Sequence, residues 1–195
     1  MIPNSNRNLY ILLFTCAAVL LLLVASVVES FGQAVTKSHS VQLTIPVIAM
    51  LDIEPNVAPI TLSLTPPNEA GQPLTVGSNA TNNTKRLNYT SAIAQGGTNK
   101  KITAQITSGT VPPGVSLRVE AGVAAAGGAG TKGSPTGLVT LDATAKNLIT
   151  GIGRCYTGDG SGFGHVLTYS VIISNYSLLK FNANNSVQIT YTISD

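Results

Sequence analysis

Two histidines are the first candidates for chemistry in this 195-residue sequence. His165 follows Asp159 and Ser161, and serine, histidine and aspartate together carry nucleophilic catalysis when the histidine takes the proton of the serine hydroxyl group. Such triads are assembled from separate elements, whereas these three residues share one glycine-rich stretch. We therefore predict that His165 is a solvent-exposed loop residue. His39 lies far from it along the chain and no cysteine pair accompanies them, which argues against a zinc site.

The glycine-rich segment Gly151–Gly164, with the sequence GIGRCYTGDGSGFG, is the next candidate. It lacks the lysine and hydroxyl residues that close a phosphate-binding P-loop, and Phe163 stands where a dinucleotide fingerprint needs its third glycine. Asp159 is its one carboxylate, and calcium requires several oxygen ligands. We predict a turned connection with no cofactor and no metal.

Cys155 is one of two cysteines, and the other, Cys16, lies in the apolar N-terminal segment. Once that segment is removed, Cys155 has no partner for an internal disulfide. A lone thiol in an oxidising compartment is either buried and inert or used between molecules. Burial is the favoured interpretation, because free cysteine is among the most buried residue types.

The composition indicates an ordinary folded domain. Hydrophobic residues make up 44% of the chain and charged residues 10%, which excludes a highly charged disordered chain. The net charge of +3 comes from a small excess of lysine and arginine over the few acidic residues, and it does not indicate a basic face. Nucleic acid is therefore excluded as an expected partner.

The N-terminus has the layout of an export signal. Arg7 precedes the apolar run Ile11–Val28, and Gly32 and Ala34 supply the small residues that a signal peptidase needs. We predict a signal peptide over residues 1–34, with cleavage after Ala34 as first choice and after Gly32 as second. The alternative is an uncleaved anchor, and contact with a membrane is expected only through this segment before cleavage.

Residues 35–195 are predicted to form a single β-sandwich domain. From Val41 to Ile53 every odd position is apolar, and Pro46 divides this run into two collinear strand segments. The stretch 141–149 is compatible with a strand or a short helix. Further alternating runs, bounded by glycine, proline or asparagine, begin at Ile60, Leu87, Ile102, Val115, Leu138, Leu167 and Val187. The predicted fold is all-β, an immunoglobulin-like antiparallel β-sandwich of about eight to ten strands, with a closed barrel as the alternative.

The segment SHSVQLTIPVIAMLDIEP, the short strands rich in threonine, asparagine and glycine, and the closing strand SVQITYTISD resemble bacterial surface pilin-type domains. The texture is most similar to fimbrial subunits of the colonisation-factor chaperone–usher kind and to spore coat protein U domains. The mature chain departs from classical pilins because it lacks their subunit disulfide. The resemblance, which spans about residues 38–195, implies a non-enzymatic structural subunit that polymerises or coats the cell surface.

The expected function is that of a secreted or cell-surface structural subunit that associates with itself or with other surface proteins. Val41, Leu43 and Ile45 are the candidate donor-strand residues, because alternating apolar side chains suit the edge of a neighbouring sheet. The alternative is a module that binds a glycan or protein through loops 66–85, 122–137 and 151–165, where Tyr156 and Phe163 are possible contacts. An enzyme is not expected, since no paired carboxylates or nucleophile–base set stands out.

Overall fold

The computed structural model describes residues 4–25, 35–180 and 185–195. One α-helix, α1, spans Asn4–Ala25 and contains most of the predicted apolar run. No helix in the described ranges is long and apolar enough to cross a membrane. The predicted cleavage positions, Gly32 and Ala34, lie outside the described residues.

Residues from Ile45 onward form one compact, all-β unit. Two single 3₁₀ turns, Ser78–Ala80 and Tyr176–Leu178, interrupt it. The described part contains nine strands, β1 Ile48–Glu54, β2 Thr81–Ala92, β3 Lys100–Ser108, β4 Val115–Ala124, β5 Ala129–Pro135, β6 Val139–Thr140, β7 Lys146–Tyr156, β8 His165–Ile173 and β9 Gln188–Ser194. All pairings between these strands are antiparallel, which confirms the predicted fold class.

Strand β2 connects the two halves of this sandwich-like fold. The strand order is β6-β4-β8-β2-β7-β3-β9, with β1 also paired to β2 and β5 to β7. The first part of β2 runs beside β8 up to the pair of Leu87 with His165. Its last part runs beside β7, where Ser91 lies opposite Cys155. One strand thus carries residues into both halves.

Much of the core consists of the alternate residues that the periodicity predicted, whereas on β7 the neighbours Leu148 and Ile149 are both buried. Buried side chains recur at every second position because successive residues of a strand point to opposite faces. The hydroxyl groups of Tyr169 on β8 and Tyr191 on β9 are 2.7 Å apart and add a polar link at the edge of this core. The fully or nearly buried members include Leu87, Ile102, Ala104, Val119, Leu148, Ile149, Ile152 and Leu167.

Two predicted strands are absent. Residues 41–47 are not a strand, because the neighbouring strand β2 offers no residues to pair with them. Ile48 already lies opposite Ala92, the last residue of β2, and the chain after β2 turns away at residues 95–96. Pro46 also lacks a backbone N–H to donate. The run beginning at Ile60 forms no regular strand either, and near it a single bridge joins Thr65 to Thr75.

Two glycine-rich stretches predicted as loops are partly strand, which covers most of 122–137 and residues 151–156 of 151–164. Within 122–137 the chain completes β4 and forms β5, and β7 continues through Tyr156 into the predicted loop 151–164. The glycines allow close pairing of β5 with β7: a Cβ atom at Gly130, where φ is +83°, would lie 2.0 Å from the carbonyl oxygen of Arg154. Of the two interpretations of residues 141–149, the strand is correct from Lys146 onward.

Candidate functional site

His165 is completely buried at the start of β8, so the prediction of an exposed loop histidine is wrong. Its Nδ1 lies 2.8 Å from the carbonyl oxygen of Gly122 on β4, and its Nε2 lies 2.8 Å from the hydroxyl group of Tyr89 on β2. Both ring nitrogens therefore have partners, which offsets the loss of water around them. Asp159 and Ser161 are exposed and are not among these partners.

Tyr89 joins this histidine to a third strand. Its hydroxyl group also contacts the carbonyl oxygen of Lys132 on β5. A tyrosine hydroxyl carries one proton, so it donates to one of the two acceptors at a time. The rings of Tyr89 and His165 stack with centroids 5.6 Å apart. Four residues on four strands, Gly122, His165, Tyr89 and Lys132, thus form one connected set, which we call the histidine cluster.

Burial dominates the electrostatics of this cluster. Loss of solvent lowers the pKa of His165 from its ordinary value of 6.5, and the charge of Lys132 adds to this change. Hydrogen bonds to the backbone of Gly122 and of Lys132 oppose it. Burial, followed by the nearby Cys155, raises the pKa of Tyr89 well above its usual range. At neutral pH the cluster therefore holds a neutral imidazole and a neutral phenol, which suits hydrogen bonding within the core.

Cys155 is buried on β7, as the favoured interpretation expected. It lies opposite Ser91 of β2 on one side and Gly130 of β5 on the other. Burial raises the pKa of its thiol, and Lys132 counteracts this to a smaller extent. The thiol is therefore protonated and shielded, which does not suit a nucleophile.

The two aromatic residues predicted as loop contacts have different environments. Tyr156 ends β7 with 53% of its surface exposed. The Phe163 ring lies against Gly127 and Gly158, where an added Cβ atom would in each case come within 2.6 Å of a ring carbon. The ring therefore packs one loop against another, and Tyr156 is the more accessible of the two.

The three candidate donor-strand residues precede β1. Val41, Leu43 and Ile45 are 70%, 87% and 87% exposed, and they lie in a stretch with no regular secondary structure. Their side chains occupy alternate positions, as in a strand. Backbone groups without a strand partner in such a segment are available to another chain.

Two buried lysines were missed by the sequence analysis. Lys85 on β2 donates to the side-chain and main-chain oxygens of Asn56 at 2.9 and 2.7 Å, and Lys100 on β3 pairs with Asp195. Lys85 lies two residues before the buried Leu87 on β2, so the two side chains share one strand face. This spacing could have predicted from the sequence that Lys85 is buried. Long lysine stems pack along apolar surface while the ammonium group reaches polar partners.

No group of three or more histidine, cysteine, aspartate or glutamate side chains in the described ranges is placed to hold a metal ion. A cavity of about 330 Å³ lies near the end of β3, lined among others by Ile106, Val111 and Leu141, with Asp142 beside them. Asp142 forms an ion pair with Lys146 at 3.1 Å.

Comparisons with family models, curated proteins and solved structures give no match.

Proposed function

We propose that this chain is an exported structural subunit of the cell surface that assembles by donating an extended segment to a neighbouring subunit. The observation that carries the proposal is the exposure of Val41, Leu43 and Ile45 at alternate positions before β1. Exposure of these apolar side chains to water is unfavourable. Their burial would lower the free energy when a sheet accepts the segment as a strand.

The sandwich has edges that suit an added strand. Among the described residues, β9 pairs with β3 alone, so its other edge has backbone groups without a strand partner. Ile189, Tyr191 and Ile193 of β9 already pack against the core, and a donated strand would continue that apolar surface. Donation from one copy to the next is heterologous, so it builds an open fibre and not a closed dimer.

The N-terminal segment supports export to the periplasm, the cell surface or the medium. A single cation, Arg7, precedes the apolar run, and Gly32 and Ala34 follow it at the spacing that signal peptidases use. A surface subunit needs such a signal. The histidine cluster, for its part, is neutral and buried and supplies no accessible group for catalysis. The proposal therefore places the function in assembly and not in catalysis.

A ligand-binding module is the less favoured function. Recognition of a glycan or protein would use the predicted aromatic contacts, yet the Phe163 ring is engaged with Gly127 and Gly158. Tyr156 is the more exposed of the two, at 53% against 37% for Phe163. An aromatic platform made from a single residue gives a small contact area.

Electron microscopy of the purified exported protein tests the proposal. We expect filaments in the wild type, and their loss in Leu43→Asp, because only the odd positions of the donated segment face the acceptor core. Thr44→Asp is the matched control, since it places the same charge on the opposite face and should still assemble. A wild type without filaments, or equal assembly of the two variants, would refute strand donation by this segment.

A further inference from the structure

We propose that the histidine cluster is an acid-sensitive latch that holds the segment Gly122–Lys132, which runs from the end of β4 into β5 and which we call the β4–β5 segment, against the rest of the sandwich. The inference does not depend on the proposed function. It rests on the position of one fully buried imidazole ring at the meeting point of four strands. The β4–β5 segment should be closed at neutral pH and should open locally as the medium becomes acidic.

The hydrogen bonds define which atoms carry protons in the closed state. The carbonyl oxygen of Gly122 can only accept, so Nδ1 of His165 carries a proton and donates it. In the neutral ring Nε2 is then an acceptor, and the hydroxyl group of Tyr89 donates to it. The ring on β8 is thereby tied to β4 on one side and to β2 on the other.

A second proton must bind at Nε2, the only ring atom left to accept it. Nε2 then donates to the Tyr89 oxygen, and the tyrosine proton turns toward the carbonyl oxygen of Lys132. The cluster can therefore accommodate the new N–H bond within its hydrogen-bond network. It cannot neutralise the added positive charge by the same rearrangement.

The charge has no counter-ion in this cluster. The titratable groups that act on the ring or line its surroundings are Tyr89 from β2, Lys132 from β5 and Cys155 from β7, while β4 contributes the backbone carbonyl group of Gly122. The phenol and the thiol are neutral, and Lys132 is a cation that repels the imidazolium ion. A buried cation without a carboxylate partner is costly, so protonation favours states in which the ring reaches water.

The β4–β5 segment is the part of the chain that should respond. The ammonium group of Lys132 donates to the carbonyl oxygens of Ala125 and Gly127 at 3.1 and 2.8 Å, so the residue that repels the charged ring also ties the chain between β4 and β5. Residues 129–131 are exposed and contribute little to the core. Glycine-rich, exposed segments open at lower free energy than core strands.

The direction of the pH effect follows from the lowered pKa of His165. The neutral ring stabilises the fold fully above the unfolded value of about 6.5, and that contribution is lost as the pH falls from there through the lowered pKa. Each unit of lowering corresponds to about a tenfold change in the opening equilibrium. The pH effect disappears above this range, where the His165 ring is neutral in both the folded and the unfolded protein.

Two measurements on the full chain test the latch. Proton NMR should give His165 a pKa below about 6.5. Amide hydrogen exchange between about pH 7 and about pH 4.5, corrected for intrinsic rates, should show loss of protection in residues 122–132 that follows the His165 titration.

Two variants give controls. Lys132→Met removes the repelling charge, so it should raise the pKa of His165. It also removes the hydrogen bonds of Lys132 to Ala125 and Gly127, so this variant is read by its His165 pKa and not by the protection of the β4–β5 segment. His39→Gln should leave both measurements unchanged. Three results would each overturn the proposal. They are a His165 pKa at or above the ordinary value, protection of the β4–β5 segment that is the same at both ends of the pH range, and a His165 pKa that does not move in Lys132→Met.

Discussion

The hydroxyl group of Tyr89 lies 2.8 Å from Nε2 of His165, and the two rings stack with an interplanar angle of 14°. The residues are 76 positions apart in the sequence, on β2 and β8. Neither side chain has access to solvent that could replace this partner. Their hydrogen bond is therefore a structural link between strands, and several testable consequences depend on it or on its neighbours.

Removal of the Tyr89 hydroxyl group should destabilise the fold. Tyr89→Phe removes the single hydroxyl proton that is available to the buried Nε2 of His165 and to the carbonyl oxygen of Lys132. We expect a loss of about 1–3 kcal/mol in the free energy of unfolding, measured by urea denaturation. Tyr156→Phe removes a hydroxyl group from a half-exposed residue and should cost less than about 0.5 kcal/mol. Equal losses in the two variants would contradict a special role for Tyr89.

The packing of Phe163 can be tested with a pair of glycines. Gly158 and Gly160 have φ values of +95° and +90°, so alanine brings similar backbone strain at both. Only the Cβ atom at Gly158 meets the Phe163 ring, at 2.6 Å, whereas the space at Gly160 is open. Gly158→Ala should therefore cost about 1–3 kcal/mol more than Gly160→Ala in thermal or urea unfolding.

A double mutant separates the steric contact from the strain. When Phe163 is first replaced by alanine, Gly158→Ala should cost about as much as Gly160→Ala, because the ring is no longer there to be displaced. If the excess cost of Gly158→Ala persists in that background, the Phe163 ring is not its cause.

The thiol of Cys155 should be unreactive in the folded protein. In the full chain with Cys16→Ser, an aromatic disulfide reagent should modify Cys155 only after denaturation, because the side chain is buried and burial raises the pKa of the thiol. The Cys155→Ser chain is the control, since its exposed Cys16 should react at once. Cys155→Ser should itself cost about 1 kcal/mol. A disulfide-linked dimer of the native protein that is lost in Cys155→Ser would contradict this assignment.

The exported protein should begin at Val35, or at Gln33 if cleavage follows Gly32. The physical reason is that signal peptidases accept only small side chains at the cleavage site. Terminal sequencing of the exported protein measures it directly. Ala34→Arg should move or prevent cleavage after residue 34, whereas Gln33→Arg, which leaves the small residues in place, should permit it. An exported chain that still begins at Met1 would rule out the signal peptide.

The sequence by itself determined the strands that contribute one face to the core. Ile102, Ala104 and Ile106 alternate with polar residues, and all three are buried on β3. The same rule placed Leu117 and Val119 of β4 correctly. Alternation predicts burial well because the pleat of a strand fixes which residues share a face, whatever the partner strands are.

Only the tertiary structure decided where alternation ends and which polar residues belong to the core. The predicted strand before Ile48 is absent because β2 ends opposite that residue, and His165 is buried because Gly122 and Tyr89 supply partners for its ring. Those partners lie far away in the sequence and act through a single carbonyl group and a single hydroxyl group. A buried polar side chain depends on hydrogen bonds between distant strands, and no local pattern of residue types encodes them.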